Sequence, residues 1–221
     1  NGSAATSGTW LDRVYLSDDS PDTFSPNSSD FIKEIQHNTG LTDKQSYSKN
    51  IDIELPLNLE GERYLYIVTD ASDNITELDP SGNAAEENTV YQKLQIELAN
   101  YADLAVSDVT ITETTIGNPA TVKVGWKVTN IGTGAGKTGE WLDRIIASVD
   151  DKIGNGDDII IEEFTHTGFL EKNEFYNPSI DIQLPQDFEG KYNLYVETGT
   201  QATIFENGFK DNNQNQAKNQ F

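Results

Sequence analysis

The sequence predicts an all-β protein made of two tandem immunoglobulin-like β-sandwiches. Three observations predict this: short apolar–polar alternations, turn-rich breaks between them, and an internal repeat at a nearly constant offset. The repeat is the strongest of the three. Trp10-Leu11-Asp12-Arg13 returns 131 positions later as Trp141-Leu142-Asp143-Arg144. Ile51-Asp52-Ile53-Glu54-Leu55-Pro56 returns 129 positions later as Ile180-Asp181-Ile182-Gln183-Leu184-Pro185. The second offset also pairs His37 with His166, Leu41 with Leu170, Tyr47 with Tyr176, Gly61 with Gly190, Leu65-Tyr66 with Leu194-Tyr195, and Glu77 with Glu206. The change in offset requires a two-residue difference in one loop. So many matches in register imply two homologous domains, residues 1–100 and 101–221.

The strands are clearest in the second copy. Residues 103–112 form the first, with Leu104 and Val106 on one face. Val122, Val124, Trp126 and Val128 then alternate with Lys123, Gly125, Lys127 and Thr129, the period-2 pattern of a half-buried strand. The stretch from Asn130 to Gly136 holds Gly132, Gly134 and Gly136 and ends that strand in a turn. Further strands are expected at 141–148, 159–165, 175–184 and 191–198, the last with Tyr192, Leu194 and Val196 inward. Pro178 lacks an N–H, so its strand is expected to begin at a sheet edge. No segment carries a sustained helical period.

The first copy has no counterpart of residues 103–129 and so lacks two strands, which leaves inner apolar surface and sheet edges open. Either the chain is an internal fragment of something longer, as the absence of methionine and the start at Asn1 also suggest, or the strands come from a neighbouring chain. The junction Ala99-Asn100-Tyr101 has no Pro- or Gly-rich linker, which predicts a semi-rigid, end-to-end pair.

With a net charge of −22, the chain repels nucleic-acid phosphates and anionic lipid, so neither is expected as a partner; its surface attracts cations. There is no cysteine and no apolar run long enough to span a bilayer, so thiol chemistry, disulfides and direct membrane insertion are not expected.

The second copy carries, in order, Asp103-Leu104-Ala105-Val106, the run from Val128 to Gly134, Trp141-Leu142-Asp143, Leu184-Pro185 before Gly190-x-Tyr192, and Glu206 followed by Asp211-Asn212-Asn213. Together these features are similar to the bacterial cell-adhesion-related domain, CARDB. The first copy repeats the pattern from Trp10 onward, with Glu77 and Glu86-Glu87-Asn88 near its end, and departs from it by lacking the opening strands. The resemblance implies an immunoglobulin-like sandwich at the bacterial or archaeal surface, serving as an accessory or spacer module. It brings no catalytic motif.

The sharpest candidate site is the loop holding Asp150, Asp151, Asn155, Asp157 and Asp158, with Gly154 and Gly156 between them. Calcium takes about six to eight oxygen ligands, and glycine permits the turns that let carboxylates converge. The matching loop of the first copy holds Asp18, Asp19, Asp22 and Asp30, with prolines in place of the glycines. Calcium is therefore the one cofactor expected, against the plain alternative of a solvated acidic hairpin. His37 and His166, one per copy at a strand end, have no second His or Cys for a zinc site and are expected to be structural. Asp12 and Arg13, like Asp143 and Arg144, point to opposite faces of their strand and are expected in cross-strand ion pairs or backbone hydrogen bonds. Trp126 is expected in the core and Trp10 and Trp141 in or near it, unless one is exposed to stack on a sugar ring. No Ser-His-Asp order, phosphate loop or metalloprotease helix occurs. The sequence thus predicts a non-enzymatic module of an extracellular or cell-surface protein. Its expected partners are neighbouring repeats or subunits of the same protein, with surface glycans or proteins as the alternative.

Overall fold

The computed structural model describes residues 6, 8–27, 29–79, 81–85, 88–115, 119–135, 138–186, 188–201 and 204–220, with the backbone alone at 112–115. Glu86, Glu87 and Gly136, which enter the readings above, lie outside the described residues. The chain is all-β: twelve strands in three antiparallel sheets, with no helix among the described residues. It forms two compact units, Asn1–Ala99 and Asn100–Phe221.

The second unit is a complete two-sheet sandwich. One sheet contains β5 (Leu104–Thr115), β6 (Thr121–Asn130), β9 (Phe175–Tyr176) and β10 (Ser179–Gln183), with β5 and the β9–β10 pair on either side of β6. The other runs in the order β12 (Gln214–Gln216), β11 (Asn193–Thr200), β7 (Glu140–Ser148), β8 (Ile159–Thr167). β6 is the middle strand because both its neighbours find its full hydrogen-bonding edge and its inner row is apolar. Val122, Val124, Trp126 and Val128 are all buried while the residues between them are only partly so. These four meet Trp141, Ile145, Leu194 and Val196 of the facing sheet in a single core. Each valine so placed contributes about 1.5–3 kcal/mol of burial.

The strand expected at 175–184 is broken in two at Pro178. The proline supplies no N–H to the ladder, but its carbonyl accepts the Trp126 N–H at 3.2 Å and carries the pairing across the gap. β10 lies at the sheet edge, as Pro178 predicts. Of the expected inward row of β11, Leu194 and Val196 are buried as expected and Tyr192 is not part of it. Tyr192 lies before the strand and stacks on Phe188 (ring centroids 4.2 Å apart), and the buried row is Leu194, Val196 and Thr198. Gly190 in the left-handed region ends the preceding turn too late for Tyr192 to join the ladder.

The first unit has one sheet: β2 (Phe31–His37), β1 (Trp10–Ser17), β3 (Gly61–Val68), β4 (Thr89–Ile96), in that order. Strand for strand this is the β8-β7-β11-β12 sheet, and the register agrees, since Trp10 faces His37 as Trp141 faces His166. Among the described residues no second sheet covers it. Residues 50–54, whose counterpart is β10, form no strand, and no described strand stands where β6 would be. The outer face is closed instead: Tyr66 is buried under Phe24, stacked at 3.6 Å, and beside Tyr15. On the inner face Ile67 is 40% exposed, whereas its counterpart Val196 is 0% exposed.

All three arginines sit in ion pairs on these strands. Arg13 reaches Glu34 and Arg144 reaches Glu163, each across one rung at 2.9 Å, and Arg63 reaches Asp18 at 2.7 Å.

Candidate functional site

The polar groups that recur in both units converge on one buried aspartate in each. In the second unit this is Asp143, on the inner row of β7 between Trp141 and Ile145 and 0% exposed. Period-2 geometry points it into the core, where an unpaired carboxylate would be prohibitively costly. Three side chains donate hydrogen bonds to it. The Trp126 indole donates at 2.7 Å from β6, the Thr198 hydroxyl at 2.6 Å from β11, and the Tyr176 hydroxyl from β9 to either oxygen at 2.9 Å. Trp141 in turn donates to the Tyr176 hydroxyl at 3.0 Å. The His166 ring stacks on Tyr176 and lies against Trp141, with centroids 4.1 and 4.2 Å away, and its Nε2 bonds the Gly168 carbonyl. Asp143 and Thr198 belong to one sheet, Trp126 and Tyr176 to the other, so the carboxylate fastens the sandwich together.

The electrostatics follow from burial. Burial raises the Asp143 carboxyl above the ordinary carboxylate value, and the Thr198, Trp126 and Tyr176 donors pull it back down. The Tyr176 phenol is pushed far up by burial and by the Asp143 charge beside it. His166 is pushed below its ordinary value, chiefly by burial, so it is a neutral stacking plate at neutral pH. Both of its oxygens accept from the fold's own donors.

The first unit repeats part of the arrangement: a tyrosine again donates to the aspartate, but among the described residues no tryptophan or threonine does, and the histidine bonds the aspartate itself. Asp12, 5% exposed, accepts from the Tyr47 hydroxyl, and its Oδ2 lies 2.9 Å from His37 Nε2. Trp10, His37 and Tyr47 stack as their counterparts do. Asp12 Oδ1 and Trp10 Nε1 are buried without a hydrogen-bond partner. Burial, then the Asp12 hydrogen bond and charge, push the Tyr47 phenol up to about 12.

Two more polar residues couple strands inside the second unit. Glu206 accepts the Leu104 N–H at 2.9 Å and Asn213 Nδ2 at 2.8 Å. Asn130 satisfies all of its side-chain capacity, donating to the Gly134 and Leu170 carbonyls and accepting the Asp103 and Gly132 N–H groups. Gly132 is required there, since a Cβ would lie 2.4 Å from the Tyr101 carbonyl oxygen.

The acidic loops are built from local hydrogen bonds. Asp150 accepts from Ser148, from the Lys152 N–H and from Asn155, while Asp158 accepts the Gly154 and Asn155 N–H groups at 2.6 and 3.1 Å. Asp151 is exposed and Asp157 half-buried. In the first unit Asp30 accepts from Ser17 and Asn27, Asp18 pairs with Arg63, the Asp19 carbonyl accepts the Tyr66 hydroxyl, and Asp22 is exposed. Among the described residues no three Asp, Glu or His side chains come together as a metal would need. Asp158 uses only its Oδ2 in these bonds, and its Oδ1 is buried without a hydrogen-bond partner.

Sequence reasoning placed the histidines at strand ends, Trp126 in the core and the arginine pairs across a rung. It did not find the aspartate hub. Asp12 and Asp143 bond side chains of other strands rather than backbone, and the signal for this was a carboxylate on an otherwise apolar row in both copies. Trp10 and Trp141 are each 4% exposed, so neither presents a face to a sugar ring.

Comparison with known protein families and with curated proteins finds no match to this chain. No helix among the described residues is long and apolar enough to cross a membrane.

Proposed function

We propose that the protein is a non-enzymatic structural module of a larger extracellular or cell-surface protein, two immunoglobulin-like repeats of the CARDB kind in tandem, acting as a spacer or assembly unit alongside neighbouring repeats. The observation that carries this reading is the fate of the repeated polar residues. Asp143, Trp126, Tyr176 and Thr198 are consumed in joining two sheets. Groups kept for chemistry stand in a cleft with free valences; these are sealed inside. The charge of −22 adds an even, repulsive exterior suited to a module that must not stick to its neighbours.

Two experiments test this. Antibody against the chain should label intact cells of its source, and protease applied from outside should release it; labelling only after permeabilisation overturns the surface reading. Replacing both units in the parent protein by an unrelated sandwich pair of equal length should preserve whatever lies beyond them. A specific loss of activity on that exchange overturns the spacer reading.

A further inference from the structure

The sheet of the first unit has two edges, and they are built differently. An edge presents unpaired N–H and C=O groups, which proteins ordinarily blunt with charge, proline or a bulge. The β2 edge carries Lys33 and Glu34 and a register shift against β1. Its counterpart β8 carries Glu162 and Glu163 and a register shift against β7. β4 has neither shift nor carboxylate nor proline: its register against β3 is unbroken, in a chain that holds 37 acidic residues elsewhere. Its one charge, Lys93, is paired with Glu62 at 2.7 Å. Val90 is 62% exposed and Tyr91 55%. The matching edge of the second unit, β12, is only three residues long, against eight in β4.

We propose that β4 is a self-recognition edge, to which a second copy of this chain adds its own β4 in antiparallel, two-fold pairing. The Asn88 carbonyl accepts the Thr69 N–H at 2.9 Å, so alternation turns the N–H and C=O groups of Thr89, Tyr91, Lys93 and Gln95 away from β3. Consistently, the Lys93 carbonyl takes the Gln92 side-chain amide at 3.0 Å. A two-fold axis normal to the sheet allows registers centred on a residue. Centred on Lys93, it sets two ammonium groups face to face. Centred on Tyr91, it sets Val90 against Gln92 and pairs fewer residues. Centred on Gln92, it sets Val90 against Leu94 on the inner face and Lys93 against Tyr91 on the outer one. That register repeats an apolar pair and a cation–π pair on both sides of the axis. The occupant is a second copy because the strand complements itself, and because along it two acidic chains meet no carboxylate. A single strand edge buries less than the roughly 1,200–2,000 Å² of a stable interface, so the dimer is weak and concentration-dependent. Salt strengthens it by screening the charge of −22 on each copy. The inference goes beyond the spacer reading and needs only this sheet, so a failure of surface labelling leaves it standing.

The test uses the full chain. Sedimentation from micromolar to near-millimolar concentration should show a monomer–dimer equilibrium that tightens several-fold on added sodium chloride. Tyr91→Pro removes an N–H that β3 does not use, so the variant should keep its melting midpoint and lose the dimer. The chain has no cysteine of its own. Gln92→Cys faces itself across the axis as a non-hydrogen-bonded pair, close enough for a disulfide. Under mild oxidation it should cross-link several-fold faster than Val90→Cys, which faces Leu94. A chain that stays monomeric at every concentration and salt level overturns the proposal. So does a dimer indifferent to Tyr91→Pro, or a Val90→Cys variant that cross-links as fast as Gln92→Cys. If Tyr91→Pro lowers the midpoint, the two cysteine variants decide alone.

Discussion

Trp126 on one sheet donates its indole N–H to Asp143 on the other at 2.7 Å, and both residues are completely or almost completely buried. This bond spans the sandwich where the apolar core is otherwise continuous. Trp126→Phe keeps most of the ring's volume but leaves a buried carboxylate one donor short. It should cost about 1–3 kcal/mol in the unfolding of the second unit by urea. Thr198→Val should cost a similar amount. The double variant should fall short of the sum, because both donors serve one acceptor.

His166 makes the second unit sensitive to mild acid. Its folded value lies below the ordinary 6.5, so the unfolded chain binds the proton more readily. Stability is then fully present above about 6.5 and is lost as pH falls from there through the folded value. His166→Asn should flatten that part of the stability curve, measured by thermal melts at stepped pH. Asp143 acts with the opposite sign: burial raises its value, so its contribution is present below 3.8 and is lost as pH rises through the folded value.

Tyr47 offers a spectroscopic handle on the first unit. Following phenolate absorbance, one tyrosine should titrate near 12, held up by burial and by Asp12. Asp12→Asn should bring it back toward 10 by removing the charge. By the same sign rule, Tyr47 supports the fold below pH 10 and ceases to do so as the pH climbs to about 12.

The Arg144–Glu163 pair lies on the outer face and is partly exposed. Arg144→Ala should cost less than about 1 kcal/mol in the same urea unfolding. A larger loss would mean that the guanidinium stem packs on the sheet as well as pairing.

Calcium at the 150–158 loop is tested by melting with and without a chelator. The calcium reading expects a higher midpoint with the ion and no such rise in Asp158→Ala. An unchanged midpoint retires it. Asp158→Ala should loosen the loop in either case, since Asp158 holds the Gly154 and Asn155 N–H groups.

Much of the fold was legible because alternation and burial are the same fact seen twice: Val122, Val124, Trp126 and Val128 are every second residue and are all buried. The repeat carried the rest, placing β1 against β7 and β2 against β8 before any coordinates. What alternation cannot say is which inward polar residues meet. Asp143 lies near Trp126, Tyr176 and Thr198 through pairings between 17 and 55 positions long. Tyr192 was misplaced because period 2 runs straight through a turn unless the turn's end is known. In the acidic loops, composition counts carboxylates but not what each oxygen faces, and here Asp150 and Asp158 face the loop's own N–H groups.

With Arg13, Arg63 and Arg144 committed to pairs with Glu34, Asp18 and Glu163, only lysines are left to oppose the rest of the chain's 37 carboxylates. The dominant long-range force on the folded chain is then self-repulsion, which mobile ions screen within about 10 Å at 0.1 M. Added sodium chloride should therefore tighten this protein where it would weaken one held together by surface ion pairs. Brine is a milder setting for it than fresh water.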